Sequence, residues 1–231
     1  MLGYVRNLLT SLADNLNLPY LNKIDLMKWP IFSLLEPEFA CKIKMACVYG
    51  NLGNEAILVT KNDEVFAIGS NAASCLGLGD LQSTLIPKKV KALCSKGVKG
   101  FAYGPHVIAF TEMGEVYSWG HNGYSELGNG SSSQCLFPTV IGSSLSGKEV
   151  IEVACGSHHS LALTRDGEVY GWGQNTCGQV GAGVSTNQAV PRKVNSHIGI
   201  KKTISIACGK TPSMAVLENG EVHHFTIYNW R

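Results

Sequence analysis

The chain has 231 residues, 45% of them apolar, 16% charged and 26 glycine. Apolar content at this level, with charge well under the usual ~25%, points to a packed core and excludes global disorder, collagen and coiled coil. The net charge of +2 is too mild for the overall field to direct binding to nucleic acid, and no run approaches the ~18 apolar residues of a membrane span.

The first element is helical. Leu2, Val5, Leu8, Leu9, Leu12 and Leu16 recur at spacings of three and four, the pattern of an amphipathic helix, read as a cap over the first β unit. Pro37 suits the first turn of a second short helix, where its missing N–H costs nothing, and places Phe39 and Ile43 on one side. Residues 1–42 are therefore an N-terminal helical segment. Arg6 is the one early positive charge and no cleavage site follows an apolar block, so no signal peptide is expected. Eight cysteines without a Cys-x-x-Cys pair read as reduced thiols of an intracellular protein, nuclear or cytoplasmic.

From residue 43 the sequence repeats. Gly114-Glu115-Val116, Gly167-Glu168-Val169 and Gly220-Glu221-Val222 follow one another by 53 residues, and Asp63-Glu64-Val65 is a degenerate copy 51 residues earlier. Asn71, Asn122 and Asn175 keep the same steps, as do Gly69, Gly120 and Gly173, and Pro87, Pro138 and Pro191. Between Gly114–Pro138 and Gly167–Pro191, eleven of twenty-five residues are identical. Each unit reads as short strands. Val150–Cys155 and Ser160–Thr164 precede Asp166-Gly167, read as a type I′ hairpin turn with both central residues at positive φ. Glu168–Trp172 is the return strand, and Pro191-Arg192-Lys193-Val194 suits an edge strand. Four antiparallel strands per 51–53 residues is the size of a propeller blade. The fold class is all-β, a partial β-propeller of three to four four-stranded blades with short N-terminal helices. Its units are about 43–97, 98–149, 150–202 and 203–222, and residues 223–231, beginning His223-His224-Phe225-Thr226, read as a divergent C-terminal tail such as a truncated form carries.

The unit Gly-Glu-Val-Tyr-x-Trp-Gly-x-Asn, carried by Gly114–Gly130 and Gly167–Gly183, resembles the repeat of the regulator of chromosome condensation family. Lys28–Leu35, Gly120–Ser125 and Ala154–Ser160 are similar to its branch of RCC and BTB domain-containing proteins. The resemblance implies a propeller that binds partner proteins through its loops, with a small GTPase or chromatin as partner classes. A cullin-type ligase would be reached through a BTB domain, which these 231 residues do not include. Guanine nucleotide exchange on a Ran-like GTPase is the alternative; repeat steps of 51–53 residues leave no room for the long insertion that the family's founding member uses.

Candidate chemistry is sparse. His158 and His159, as strand neighbours, would point to opposite faces and so would not share one metal; a blade-loop hydrogen bond is the expected role. Cys155 and Cys208 stand 53 apart and read as buried packing. Glu115, Glu168 and Glu221 recur with the turns rather than as acid–base groups. Ser160 lacks a nucleophile elbow. Lys88, Lys89, Lys91, Lys96 and Lys99 form a basic stretch suited to edge protection or phosphate contact. Gly77-Leu78-Gly79 lacks the lysine and helix of a nucleotide loop. No catalytic, cofactor-binding or metal-binding residue is assigned, partner-binding residues are left open, no cofactor is expected, and the chain is read as a non-enzymatic protein-interaction module.

Overall fold

A computed structural model describes residues 30–50, 52–194 and 202–225. The amphipathic pattern at Leu2–Leu16 and residues 226–231 lie outside the described residues. A 3-10 turn at Pro30–Phe32 and a single helical turn α1, Pro37–Ala40, precede the strands, with Pro37 in the first turn. Ile43 is not helical but opens the first strand; it and Phe39 nevertheless pack on one apolar cluster with Phe32, Leu35, Leu58 and Ile68. Residues 30–42 thus cover the outer side of the first blade.

Four antiparallel sheets follow. The first blade is β1 (Ile43–Tyr49), β2 (Glu55–Thr60), β3 (Val65–Gly69) and β4 (Thr84–Lys89). The second is β5 (Val98–Tyr103), β6 (His106–Thr111), β7 (Val116–Gly120) and β8 (Cys135–Val140). The third is β9 (Val150–Cys155), β10 (His159–Thr164), β11 (Val169–Gly173) and β12 (Gln188–Lys193), and the fourth β13 (Thr203–Cys208), β14 (Ser213–Leu217) and β15 (Val222–Phe225). Strands pair in chain order within every sheet, and the sheets form an open arc of propeller blades.

The core lies between blades. Ile57 and Val59 meet Phe101, Val107 and Trp119; Ile108 meets Val153, Tyr170 and Trp172; Leu161 and Leu163 meet Ile206, Ala215, Leu217 and Phe225. Strands such as β10 are buried along their whole length because each has a blade on either side, which is why their sequences run apolar without alternation. Each side chain of the Leu161 kind contributes about 1.5–3 kcal/mol. The outermost strands β4, β8 and β12 carry Pro87, Pro138 and Pro191, which withhold an N–H from the open edge.

Two expectations are corrected. The hairpin turn is not type I′: Gly167 has φ 82° but Asp166 has no positive φ. The Gly167 N–H bonds to the Thr164 carbonyl at 2.9 Å, and the Thr164 N–H to the Glu168 carbonyl at 2.9 Å. This is a type I turn closed by one left-handed residue, a three-residue hairpin loop. Asp63 takes the left-handed position in the first blade at φ 57°. The Thr60, Thr111 and Thr164 hydroxyls accept the N–H of Glu64, Glu115 and Glu168 and hold the turn. Second, the last strand does not stop at Val222. Phe225 is fully buried in the place that Trp119 and Trp172 hold in the preceding blades, so the strand continues three residues into the segment read as a tail.

Candidate functional site

One face of the arc carries the long loops 70–83, 121–134 and 174–187, together with the short connections before β2, β6, β10 and β14. A buried asparagine organises each long loop. Asn71, Asn122 and Asn175 accept the N–H of Leu76, Leu127 and Val180 on Oδ1 at 3.0, 2.9 and 2.9 Å. Their amides donate across the loop, that of Asn175 to the carbonyls of Val184 (2.6 Å) and Thr186 (3.2 Å). The side chain stands in for a strand partner and freezes an otherwise irregular backbone. Asn175→Ala strands the buried Val180 N–H and takes a donor from the Val184 and Thr186 carbonyls, and about 1–3 kcal/mol of unfolding free energy is expected to be lost in urea titrations.

The loops also lock one blade to the next. Trp119 Nε1 donates to the Cys75 carbonyl at 2.8 Å and Trp172 Nε1 to the Glu126 carbonyl at 2.6 Å. A second latch joins fully buried histidines to serines of the following blade: His106 Nε2 to Ser160 Oγ and His159 Nε2 to Ser213 Oγ, both 2.8 Å. Each serine donates its proton to a carbonyl, Glu126 at 2.9 Å and Gln179 at 2.6 Å. The serine oxygen must therefore accept from the histidine, which places the proton on Nε2 and leaves Nδ1 as a lone pair with no hydrogen-bond partner among the described residues. Protonating it would bury an N–H without an acceptor. Burial accordingly lowers His106 to about 3 and His159 to about 4.

A base with a lowered folded-state pKa takes up its proton first in the unfolded chain. Stability is therefore complete above pH 6.5 and falls as pH drops toward 4, by about 1.4 kcal/mol per pH unit for each histidine. Urea midpoints at pH 7, 6 and 5 should show this slope, and His159→Gln should reduce it; an unchanged slope would remove this histidine as its source.

The junction between the second and third blades holds a further cluster. The Glu126 side chain is fully buried, and its Oε1 faces His121 Nδ1 at 2.7 Å and His158 Nδ1 at 3.0 Å. Its Oε2 accepts the Tyr124 N–H at 2.8 Å. The Tyr124 ring lies 4.6 Å from that of His158 and is 40% exposed. Burial pushes the Glu126 pKa upward, but amide hydrogen bonds and the two imidazoles outweigh it and hold the carboxyl below its ordinary value. His158 thus makes the loop hydrogen bond expected of it, while His159 turns inward to the latch.

The opposite face is spent on local ion pairs. Glu168 bridges Lys148 at 2.8 Å and Lys193 at 2.6 Å, which hold its carboxyl at about 2. Lys89 pairs with Glu64, and Lys99 with Glu112 at 3.4 Å, while Lys96 lies 6.0 Å from the centre of the Tyr117 ring, so much of the basic stretch is engaged within the chain. All eight cysteines are free, and burial raises the Cys208 thiol to about 12 and the Cys155 thiol well above its ordinary value. An open cleft beside the first blade, walled by Ile31, Leu52, Asn54, Ser70, Ser83 and Leu85, has no ionisable side chain among the described residues that line it. Ser160 is buried within the latch. Glu126, His121 and the latch pairs escaped the sequence reading. The 53-residue step from His106 to His159 and from Ser160 to Ser213 was the available signal for the latch.

Blades interlocked by loop carbonyls, with long asparagine-clamped loops gathered on one face, define a β-propeller repeat protein that presents loops. The regulator of chromosome condensation (RCC1) repeat model matches residues 62–110, 113–163 and 166–216, and a second model of that repeat matches 150–179; the chain belongs to this family. Each matched unit starts at a hairpin turn and ends in the second strand of the next blade, so the sequence repeat itself crosses the blade junction. Among curated relatives, human E3 ubiquitin-protein ligase HERC2 is 36% identical over 168 residues, covering 71% of this chain and 3% of that protein. The ultraviolet-B receptor UVR8 of Arabidopsis thaliana is 35% identical over 179 residues, covering 77% and 39%. The chain therefore spans well under half the length of either. Prp20p of Saccharomyces cerevisiae superposes with a TM-score of 0.63 at 25% identity over 75% of this chain and 43% of that one. Human WBSCR16 gives 0.66 at 24% identity over 80% and 47%.

Proposed function

We propose that the chain is a non-enzymatic protein-interaction module that offers its long-loop face to a partner. The observation that carries this reading is the division of labour between faces: one is closed by ion pairs and hairpin turns, the other displays long loops on a rigid, asparagine-held frame. Binding residues concentrate on such loops. The buried histidines, serines and recurrent glutamates are all engaged in blade architecture, which supports the absence of a catalytic role. The relatives' names, a ubiquitin ligase and a light receptor, describe unlike activities, and the repeat is what they share with this chain.

The partner classes are a small GTPase and chromatin. Prp20p is described by its binding to Gsp1p and histones, and this likeness supports carrying both classes over. Within the family we place the chain nearest the BTB-containing branch, on the motifs at Gly120–Ser125 and Ala154–Ser160; a cullin-type ligase would then act through a BTB domain and not through these repeats. We assign it to the nucleus or cytoplasm, which its eight free thiols support. Among the described residues no helix is long and apolar enough to cross a membrane.

The test uses a Ran-type GTPase carrying fluorescent GDP and, separately, core histones. Binding to one of them is expected to weaken at least tenfold in Tyr124→Ala and to persist in Phe137→Ser on the outer strand. Accelerated GDP release at substoichiometric protein would replace the docking reading with nucleotide exchange. Binding to neither would remove both partner classes.

A further inference from the structure

We infer that His121, Glu126 and His158 form a binding site for a zinc-class divalent ion that bridges the second and third blades. The three donor atoms lie within 4.8 Å of one another, two imidazole nitrogens and one carboxylate oxygen, a donor set suited to zinc and its first-row neighbours. They come from two blades: His121 and Glu126 from the loop after β7, His158 from the turn before β10. Both imidazoles direct Nδ1 at the same Oε1. The carboxylate is fully buried, whereas the rings are 42% and 33% exposed, so an ion can enter from solvent between them.

Ligands about 2.0–2.1 Å from a tetrahedral ion stand about 3.3 Å apart. The carboxylate–imidazole separations of 2.7 and 3.0 Å therefore widen by about 0.3–0.6 Å, while the two imidazole nitrogens, within 4.8 Å of each other, close toward the same spacing. Each neutral imidazole would carry its proton on Nε2 and offer the Nδ1 lone pair. The Tyr124 N–H, bonded to Oε2, would keep the carboxylate oriented, the outer support that protein metal sites use. Three protein ligands leave a fourth position for water or for a group of a docked partner, beside the exposed Tyr124.

The repeats supply an independent argument. The equivalent three positions are Ser70, Cys75 and Pro105 at the preceding junction, and Gln174, Gln179 and Thr211 at the following one. Gln179 Oε1 accepts the Cys177 N–H at 2.9 Å, the same backbone service that Glu126 Oε2 performs for Tyr124. A blade junction is thus built twice without a charge or an imidazole at these places. The second carboxylate oxygen and the two rings exceed what the architecture requires, and a shared cation accounts for all three.

The following junction also provides the variant. His121→Gln, Glu126→Gln and His158→Thr together install the residues that the fold already accommodates one blade later. The demetallated 231-residue chain, kept reduced, is titrated with Co²⁺ as a spectroscopic probe and with Zn²⁺ in competition. The expected result is one ion per chain, visible bands of a nitrogen–oxygen site without thiolate charge-transfer absorption, and at least a tenfold loss of affinity in the triple variant. Zn²⁺ should raise the melting temperature of the wild type and leave that of the variant unchanged. Equal affinity in the variant, or a thiolate band showing that cysteines take the ion, would overturn the assignment. Should the triple variant unfold, His158→Thr alone, at a half-exposed position, must show the same loss. The site stands or falls independently of the docking reading, because its readout requires no partner protein.

Discussion

Trp172→Ala is expected to remove about 3–5 kcal/mol of unfolding free energy, and Trp172→Phe only about 1–2. The indole is fully buried between the second and third blades, so truncation to alanine opens a cavity in a layer that two rigid sheets cannot collapse to fill. Its N–H satisfies the Glu126 carbonyl, but that oxygen also receives the Ser160 hydroxyl at 2.9 Å and is not orphaned when the indole goes. Phenylalanine retains most of the apolar volume, and the fourth blade already uses it, with Phe225 at this place and Ser213 donating to the Gln179 carbonyl at 2.6 Å. Urea denaturation of both variants decides the matter. Equal losses would show that the hydrogen bond, and not the filled volume, governs the junction.

Gly173→Ala is expected to cost more than about 3 kcal/mol, against about 1 kcal/mol for Gly183→Ala. Both glycines lie at positive φ, 94° and 72°, so both variants carry the strain of an L-residue in that region. They differ in surroundings. A Cβ on Gly173 would lie 2.6 Å from the His158 carbonyl oxygen and 2.9 Å from the His159 Cα, whereas one on Gly183 meets nothing within 4 Å. The atoms in the way are backbone and cannot swing aside as a side chain would. Relief requires moving the turn that carries His158, so Gly173→Ala should also weaken Zn²⁺ binding where Gly183→Ala does not. Similar stability losses in the two variants would mean that dihedral strain alone explains the glycine, with the close approach of the backbone contributing little.

Much of the architecture was readable because its signals are local. Gly-Glu-Val, the asparagines and the edge prolines recur at one step, and each acts within a few residues of itself, at a turn, a loop clamp or a strand edge. The location of the hairpin turn followed from Asp166-Gly167, but its type did not. One left-handed residue suffices when the loop has three residues, and the Thr164 hydroxyl that stabilises this form was not part of the dipeptide pattern. Phe225 was assigned to a tail because it breaks the tryptophan motif. An aromatic ring is what the junction needs there, and the Gln179 carbonyl keeps the Ser213 hydroxyl as its donor without an indole N–H.

The sequence by itself determined the class of fold, the family and the turn, loop and edge landmarks of each blade, since repeated short-range patterns dictate repeated short-range structure. Only the tertiary structure decided which side chains meet. His106 reaches Ser160 and His158 reaches Glu126 across 54 and 32 residues, and such pairings depend on how one sheet stacks upon the next, a geometry that no local pattern encodes.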